Sequence, residues 1–247
     1  MDDITVFVLA GGQSTRMGQD KAFLLLGGRT LLERTLALAH RIASRVAVLG
    51  PREKYAAAGE RVIEDEFPGC GPLAGIHAAL GASDTDLNLI LSVDMPFVPL
   101  EFFTYLLERA RSRPSAQVAA PRVGGIVQGT CIACRRSFRR VCESRLKLGL
   151  CKVEDALRMA GPEYVEEEEI RARGIGPDVF RNLNTPEDLT EAQKLEVYGG
   201  RFADFVLRER RRSSRGPYCG TLALPTTATI WEAREISVTG ASRWSGS

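Results

Sequence analysis

The sequence predicts an α/β protein of three layers, in which helices cover both faces of a mostly parallel sheet. The main observation is an alternation of short apolar runs, rich in β-branched residues, with amphipathic helical patterns, which is typical of parallel strands joined by helices. A chain of 247 residues with 44% hydrophobic and 26% charged residues is long enough for one large globular domain, or for a domain of about 200 residues with a tail.

The predicted elements follow in order along the chain. Strands are expected at residues 5–9, 46–49 and 87–93, and another over 126–138. Helices are expected at residues 31–43, 71–80 and 99–111. Thr30 and Glu33 fit a capping box at the start of the first helix, and Thr185 followed by Pro186 fits the start of a last one. The acidic segment 163–169 is interpreted as a solvated connector.

The composition changes near residue 199, which divides the chain into a domain of residues 1–198 and a basic extension of residues 199–247. From Arg201 onward there are eight arginines and four acidic residues, so this part carries +4 and residues 1–200 carry −2 of the total of +2. Because the extension lacks sustained periodicity, we expect it to be flexible.

Cysteine and histidine usage argues against several kinds of site. The six cysteines are interpreted as free thiols, because a chain of this size needs no disulfides and a reducing compartment is expected. Cys131 and Cys134 have the spacing of a zinc or redox pair, but they lie on a predicted strand, where positions three apart face opposite sides, so we interpret them as core residues. His40 and His77 lie in predicted helices, which argues against a nucleophilic mechanism based on histidine.

Location and partner class follow from the charge and the hydropathy pattern. No apolar run approaches the roughly 18 residues of a membrane span, and the N-terminus does not resemble a secretory signal. We therefore expect a cytoplasmic protein that does not associate with membranes. The 33 basic and 31 acidic residues nearly cancel, which argues against a nucleic-acid partner.

The most informative segment is LAGGQSTRMGQDK, residues 9–21, which directly follows the first predicted strand. A glycine-rich turn in this place can present backbone amides to an anion, and Gly11 and Gly12 allow close approach of a ligand. The spacing fits neither a P-loop nor a dinucleotide-binding fingerprint. A phosphate-binding loop and a simple tight connection both remain open at this point.

The same segment resembles the motif LAGGxSxRMGxDK of the molybdenum cofactor guanylyltransferases, the family of molybdopterin guanine dinucleotide synthesis. Four further segments match in order: VIEDEFPGCGPLAGI (62–76), ILSVDMPFVP (90–99), IVQGTCIACRRSF (126–138) and FRNLNTPEDL (180–189). The resemblance covers about residues 4–195. It implies a Rossmann-like nucleotidyltransferase fold for residues 1–198.

The resemblance also implies which residues bind GTP. These are Leu9, Ala10, Gly11, Gly12, Lys21, Asp65 and Asp94. Arg16 and Lys21 would offset the charge of the triphosphate and of the pyrophosphate leaving group. A solvated loop acid is the alternative interpretation of Asp65, which has an acidic residue on each side.

Asp94 matches the aspartate that holds Mg²⁺ in the family. It follows a predicted central strand, and ligands of open α/β sheets bind beyond the carboxyl ends of the strands. Mg²⁺ commonly takes one or two carboxylates together with phosphate oxygens. The alternative interpretation of Asp94 is a helix cap or a turn residue.

Asn182 and Asn184 match family residues near the molybdopterin side of the cleft, although Asn184 could equally serve only to start the last helix.

Two positions depart from the family pattern. Gly50 stands where asparagine is frequent, and Gly129 stands where proline is usual. Gly50 therefore weakens the expectation of a side-chain contact with the nucleotide from that position.

The implied reaction is transfer of GMP from GTP to the terminal phosphate of molybdenum-molybdopterin, with Arg16, Lys21 and Asp94 as catalytic residues and Mg²⁺ as cofactor. Transient contacts with molybdopterin-supplying proteins or with molybdoenzymes are also expected. The alternatives are a molybdopterin cytidylyltransferase or a sugar-1-phosphate nucleotidylyltransferase. A protein of another class, a nucleotide-binding regulatory module without catalysis, would lack one of the three catalytic residues, and all three are present.

Overall fold

The computed structural model describes residues 3–11 and 20–198, with the backbone alone for 195–198. The chain divides into two units, Met1–Gly200 and Arg201–Ser247, and the description concerns the first. The predicted extension 199–247 lies outside the described residues, so its flexibility stays a prediction. None of the helices within the described ranges is long and apolar enough to cross a membrane.

Ten strands are described: β1 (Ile4–Leu9), β2 (Leu25–Leu26), β3 (Arg29–Thr30), β4 (Arg45–Leu49), β5 (Arg61–Ile63), β6 (Leu87–Ser92), β7 (Val118–Val123), β8 (Ile126–Val127), β9 (Ile132–Arg135) and β10 (Glu163–Glu166). Eight α-helices are described: α1 (Leu31–Ile42), α2 (Arg52–Tyr55), α3 (Gly71–Ala82), α4 (Leu100–Ser112), α5 (Arg139–Lys147), α6 (Val153–Met159), α7 (Glu167–Ala172) and α8 (Pro186–Tyr198). The strands and helices predicted up to residue 112 form close to their predicted bounds.

The main sheet has the strand order β10-β7-β9-β6-β1-β4-β5, and β8 pairs with β7. The central pairs β6–β1, β1–β4 and β4–β5 are parallel, whereas β9 runs antiparallel to β6 and β7. One core lies between the sheet and helices that include α1 and α4, and a second core lies on the other face against α3, α5 and α6. The predicted fold class, a mostly parallel sheet with helices on both faces, is confirmed.

The first helix begins with the predicted capping box. The Thr30 hydroxyl accepts a hydrogen bond from the Glu33 amide at 3.1 Å, and the Glu33 carboxylate accepts one from the Thr30 amide at 2.8 Å. These two bonds satisfy amides that the first turn of a helix leaves without partners.

The acidic segment 163–169 was expected as a solvated connector, and that prediction is wrong. Residues 163–166 form β10, which pairs in parallel with β7, and Val165 is fully buried. The acidic side chains of Glu163 and Glu166 face Arg109 and Arg122 respectively. An acidic run can therefore form a strand and begin a helix here, because guanidinium groups on neighbouring elements compensate its charge.

The segment 126–138 was expected as one strand, and it is broken. After β8, the Gln128 amide donates to the Pro121 carbonyl at 2.9 Å, and the Cys131 amide donates to the Gln128 carbonyl at 3.1 Å. The resulting turn separates β8 from β9. The turn residues Gln128, Gly129 and Thr130 interrupt the apolar pattern, a signal that the prediction of a single strand did not use.

The cysteines divide into two groups, which corrects the interpretation of all six as free thiols. Cys70 and Cys151 form a disulfide with Cα atoms 5.0 Å apart. Cys131 and Cys134 are buried in the two different cores, which confirms that they face opposite sides of the sheet, and burial raises the pKa of both thiols. Cys219 lies outside the described residues.

The start of α8 is held by the predicted Thr185 cap. The Thr185 hydroxyl accepts from the Asp188 amide at 3.1 Å, while Asp188 Oδ2 accepts from the amides of Thr185 at 2.9 Å and of Asn184 at 3.0 Å. Asp188 Oδ1 accepts from Arg181 at 2.9 Å. One carboxylate thus fixes both the helix start and the backbone of Asn184.

Replacement of Asp188 should destabilise the fold in a pH-dependent way. We expect Asp188→Ala to lower the free energy of unfolding by about 1 kcal/mol at neutral pH, the usual cost of a lost cap. The hydrogen bond from Arg181, followed by those from the Asn184 amide and from Thr185, lowers the pKa of Asp188 from 3.8 to about 2. Because the pKa is lower in the folded state, this stabilisation is present above about pH 4 and is lost as the pH falls toward 2.

Urea unfolding of both proteins between neutral and acidic pH measures this difference. The matched control is Glu187→Ala, which removes an exposed acid from the same first turn without removing the cap, and we expect a much smaller effect. A difference between the native protein and Asp188→Ala that stayed constant down to pH 2 would contradict the assignment.

Candidate active site

A cleft of about 530 Å³ opens at the carboxyl ends of β1, β4 and β5, the edge at which ligands of open α/β sheets bind. Among the residues that line it are the predicted site residues Leu9, Gly11 and Asp65. Lys54 and Tyr55, which the sequence did not single out, line it as well.

The backbone after β1 is fixed by the neighbouring strand. The amides of Ala10 and Gly11 both donate to the Leu49 carbonyl, at 3.1 and 3.0 Å, and the Leu9 carbonyl accepts from the Val93 amide at 3.2 Å. Contact of this segment with a nucleotide stays a prediction, and it would have to use groups other than these two amides. Gly12 and Arg16 lie outside the described residues.

Two glycines that depart from the family pattern are explained by their neighbours. Gly50 has a φ of +147°, and a Cβ atom there would lie 2.5 Å from the Tyr55 ring. The Gly129 amide donates to the Val127 carbonyl at 3.1 Å, and a Cβ atom at Gly129 would lie 2.8 Å from Val153. Asparagine at position 50 and proline at position 129 are therefore incompatible with the local packing.

Three predicted site residues from distant parts of the chain meet at the end of β6. Lys21 Nζ donates to Asn184 Oδ1 at 2.6 Å and lies 3.5 Å from Asp94 Oδ2. The side chains of Lys21 and Asp94 are 18% and 22% exposed, so a ligand can reach them while solvent screens them only partly. The structure thus joins the first loop, the strand-end aspartate and the asparagine motif in one cluster.

Local hydrogen bonds hold each member of this cluster. Ser92 Oγ donates to Asp94 Oδ1 at 2.6 Å, and the Asp94 carbonyl accepts from the Leu183 amide at 2.8 Å. Lys21 begins a 3-10 turn, Lys21–Phe23, whose N-cap is Asp20. Asn184 is held by the α8 cap described above.

The other two predicted residues of the site lie outside this cluster. Asp65 is exposed and lines the cleft beside β5. Asn182 is partly exposed, but its side-chain oxygen Oδ1 is buried and has no hydrogen-bond partner among the described residues. A buried acceptor without a partner is costly, and because this oxygen is buried, a ligand can reach it only if neighbouring groups move.

The structure adds a buried tyrosine that sequence reasoning missed. The Tyr55 hydroxyl lies 2.9 Å from the Ala10 carbonyl and 2.9 Å from Asp20 Oδ2, and Lys54 Nζ lies 3.3 Å from the same Asp20 oxygen. Burial, reinforced by Asp20, raises the pKa of Tyr55 well above its usual value. Its only sequence signal was a lone tyrosine in a polar segment after the second predicted strand.

The donor set of the cluster limits how a metal could bind. No group of three or more His, Cys, Asp or Glu side chains within the described ranges is arranged to hold a metal ion. Asp94 supplies one partly exposed carboxylate, which fits a hard cation that takes its other ligands from phosphate oxygens and water. A cation at this place would therefore depend on a bound phosphorylated substrate.

A larger cleft of about 690 Å³ lies between α1 and α4. Its lining includes Arg29, Arg41 and Phe97, together with Ser92 and Met95 near Asp94, but none of the predicted nucleotide-binding residues. Size alone would favour this cleft. We assign the site to the smaller one because the predicted residues Leu9, Gly11 and Asp65 line it. Tyr55, which also lines it, contacts Asp20, the residue before Lys21.

Comparison with known proteins identifies the family of the chain. Residues 6–160 match the model of the MobA-like NTP transferase domain. A probable molybdenum cofactor guanylyltransferase of Pelotomaculum thermopropionicum is 35% identical over 190 residues, which are 76% of this chain and 91% of the relative. The molybdenum cofactor guanylyltransferase of Rhizobium johnstonii is also 35% identical, over 76% of this chain and 90% of its own.

Solved structures of two related proteins superpose on this chain. Molybdopterin-guanine dinucleotide biosynthesis protein A of Archaeoglobus fulgidus superposes with a TM-score of 0.68 at 25% identity, covering 77% of this chain and 97% of its own. The 2-C-methyl-D-erythritol 4-phosphate cytidylyltransferase of Thermus thermophilus superposes with a TM-score of 0.58 at 25% identity, covering 78% and 98%. The chain therefore belongs to the molybdenum cofactor guanylyltransferase family of MobA-like NTP transferases.

Proposed function

We propose that this protein transfers the GMP moiety of GTP to the terminal phosphate of molybdenum-molybdopterin, with molybdopterin guanine dinucleotide cofactor and pyrophosphate as products. The observation that carries the proposal is the cluster of Lys21, Asp94 and Asn184, in which a cation, a carboxylate and an amide converge at the carboxyl end of the central sheet. The names of the relatives support the choice of substrates.

The chemistry needs no covalent enzyme intermediate. An oxygen of the acceptor's terminal phosphate attacks the α-phosphorus of GTP, the bond from that phosphorus to the β-phosphate bridging oxygen breaks, and pyrophosphate leaves with the electron pair. Since the acceptor is already an anionic nucleophile, the protein contributes positioning and electrostatic stabilisation. Lys21 is placed to exchange its contact with Asn184 for a phosphate oxygen, and Arg16 is proposed to assist it.

The described histidines and cysteines take no part in this scheme. His77 is buried in α3 against Phe67, and burial lowers its pKa. His40 instead pairs with Glu60 at 2.7 Å, and neither histidine lines the cleft. The free cysteines of the described part of the chain are all buried.

Nucleotidyltransferases of this family generally use a divalent metal, and we propose Mg²⁺ held by Asp94. The ion would neutralise charge on the phosphate oxygens of GTP. The short hydrogen bond from Ser92 to Asp94 Oδ1 orients the carboxylate, and Oδ2 faces Lys21. Asp94 is therefore fixed in place before any ligand binds.

The two substrates are proposed to approach the cluster from different sides. The cleft beside Gly11 and Asp65 would receive the nucleotide. The exposed Asn184 would face molybdopterin, and Asn182 would join it through a local movement that exposes its buried oxygen. The cytoplasmic location and the transient contacts with molybdopterin-supplying proteins and molybdoenzymes stay predictions.

The nucleotide specificity tests the proposal against its nearest rival, because the same fold serves a cytidylyltransferase among the structural relatives. Pyrophosphate release should be measured with purified molybdenum-molybdopterin and either GTP or CTP. We expect turnover with GTP to exceed that with CTP by at least about 100-fold, a range that hydrogen-bond recognition of a base can supply. Equal rates or faster turnover with CTP would identify a cytidylyltransferase, and release with a sugar 1-phosphate alone would identify the other rival.

Replacement of Asp94 tests the centre of the cluster. Asp94→Asn keeps the size of the side chain and removes its charge, and we expect turnover to fall by about 100-fold or more because the phosphates lose their metal anchor. The matched control is Asp84→Asn, an exposed residue before the opposite end of the same strand, which should retain activity. Full activity of a folded Asp94→Asn protein, verified by circular dichroism, would remove Asp94 from the mechanism and would favour a non-catalytic role for the cluster.

The proposed domain boundary predicts that the basic extension is dispensable for catalysis. A chain that ends at Gly200 should keep the kcat and the KM for GTP of the full chain within about twofold, because every described site residue precedes α8. The measurement is the same pyrophosphate assay on both chains. Loss of activity in a truncated chain with a normal circular dichroism spectrum would make the extension part of the site.

A further inference from the structure

A buried hydroxyl group links the first strand to the residue that precedes Lys21. Tyr55 is 1% exposed, and its hydroxyl lies 2.9 Å from the Ala10 carbonyl and 2.9 Å from Asp20 Oδ2. Ala10 directly follows β1, whereas Asp20 directly precedes Lys21. Both partners are acceptors, so they share the single hydroxyl proton. The hydroxyl thereby bridges two points of the chain that are ten positions apart in sequence and flank the glycine-rich segment.

The position of this hydroxyl is fixed by packing. Tyr55 ends the short helix α2, and its ring lies so close to Gly50 that a Cβ atom at Gly50 would approach it to 2.5 Å. On another side the ring contacts Phe23, with centroids 5.9 Å apart. Because the ring fills a site shaped by glycine, the hydroxyl has little freedom to move.

Asp20 connects Tyr55 to Lys21, because its two carboxylate oxygens have different partners. Oδ1 accepts from the Ala22 amide at 3.1 Å and thereby caps the turn Lys21–Phe23. Oδ2 faces the Tyr55 hydroxyl and Lys54. A carboxylate held at both oxygens fixes the direction in which the next residue, Lys21, leaves the backbone.

We propose that Tyr55 and Asp20 are positioning residues for nucleotidyl transfer, acting through Lys21. This inference rests on the proposed function, in which Lys21 contacts the phosphates of GTP. Neither residue needs to touch the substrate. The chain from Ala10 through Tyr55 and Asp20 holds Lys21 where its ammonium reaches Asn184 at 2.6 Å and Asp94 at 3.5 Å.

The first test is Tyr55→Phe, which keeps the ring and removes the hydroxyl. We expect kcat/KM for GTP to fall about tenfold and the GTP dissociation constant from titration calorimetry to rise by a similar factor, within the range of one hydrogen bond to a charged group. The matched control is Tyr105→Phe. This residue is also buried, and its hydroxyl also donates to a carboxylate, Glu169, at 2.8 Å. It lies outside the site, so both quantities should stay within about twofold.

The second test separates positioning from general destabilisation. If Tyr55 acts through Lys21, Tyr55→Phe should change GTP affinity about tenfold in the native background and less than about twofold in a Lys21→Ala background. A purely structural role would weaken binding by the same factor in both backgrounds, and that result would overturn the inference. Affinity is the readout for this cycle because it does not require turnover by Lys21→Ala.

A second variant keeps the inference testable if Tyr55→Phe does not fold. Asp20→Asn removes the charge that faces Lys54 and the second carboxylate oxygen, and it should show the same loss of effect in the Lys21→Ala background. An unchanged GTP affinity in both Tyr55→Phe and Asp20→Asn would refute the positioning role while leaving the proposed function intact. A native protein that releases no pyrophosphate from GTP would instead refute the proposed function.

Discussion

The contact of the Lys21 ammonium with Asp94 and Asn184 is the interaction on which the rest of the site depends. Residues 1–200 carry a net charge of −2, yet the proposed reaction brings together two polyanionic substrates. Bulk charge therefore cannot supply the attraction, and a few placed groups must do so. The side chains of Lys21 and Asp94 are only partly exposed, which makes their charges more effective than on an open surface.

The fold serves this cluster by bringing distant segments to one edge of the sheet. The parallel pairing of β1 with β4 and β6 places Gly11, Gly50 and Asp94 at the same edge. The capped start of α8 then adds Asn184 from the far end of the domain. Because the Leu183 amide bonds the Asp94 carbonyl, the last motif is attached directly to the central strand.

The sequence alone predicted what depends on local pattern. The alternation of elements, the capping box of Thr30 and the cap at Thr185 were all legible, because each depends on residues within a few positions of one another. The motif resemblance located Lys21, Asp94 and Asn184, and the structure shows that these three meet. Arg16 and Gly12 lie outside the described residues, so their roles stay predictions.

The errors arose where the interacting residues are distant in sequence. β10 is stabilised by Arg109 and Arg122, and the disulfide joins cysteines 81 positions apart. Tyr55 was missed for the same reason, since its hydroxyl bonds residues 45 and 35 positions away.

The most direct test of the account is a crystal structure with a GTP analogue whose α,β-bridging oxygen is replaced by a methylene group, which blocks transfer. The account predicts that the analogue lies in the cleft beside Gly11, with Lys21 Nζ moved from Asn184 to a phosphate oxygen and with Asp94 beside the α-phosphate. An analogue bound in the larger cleft between α1 and α4, with Lys21 still on Asn184, would contradict the account.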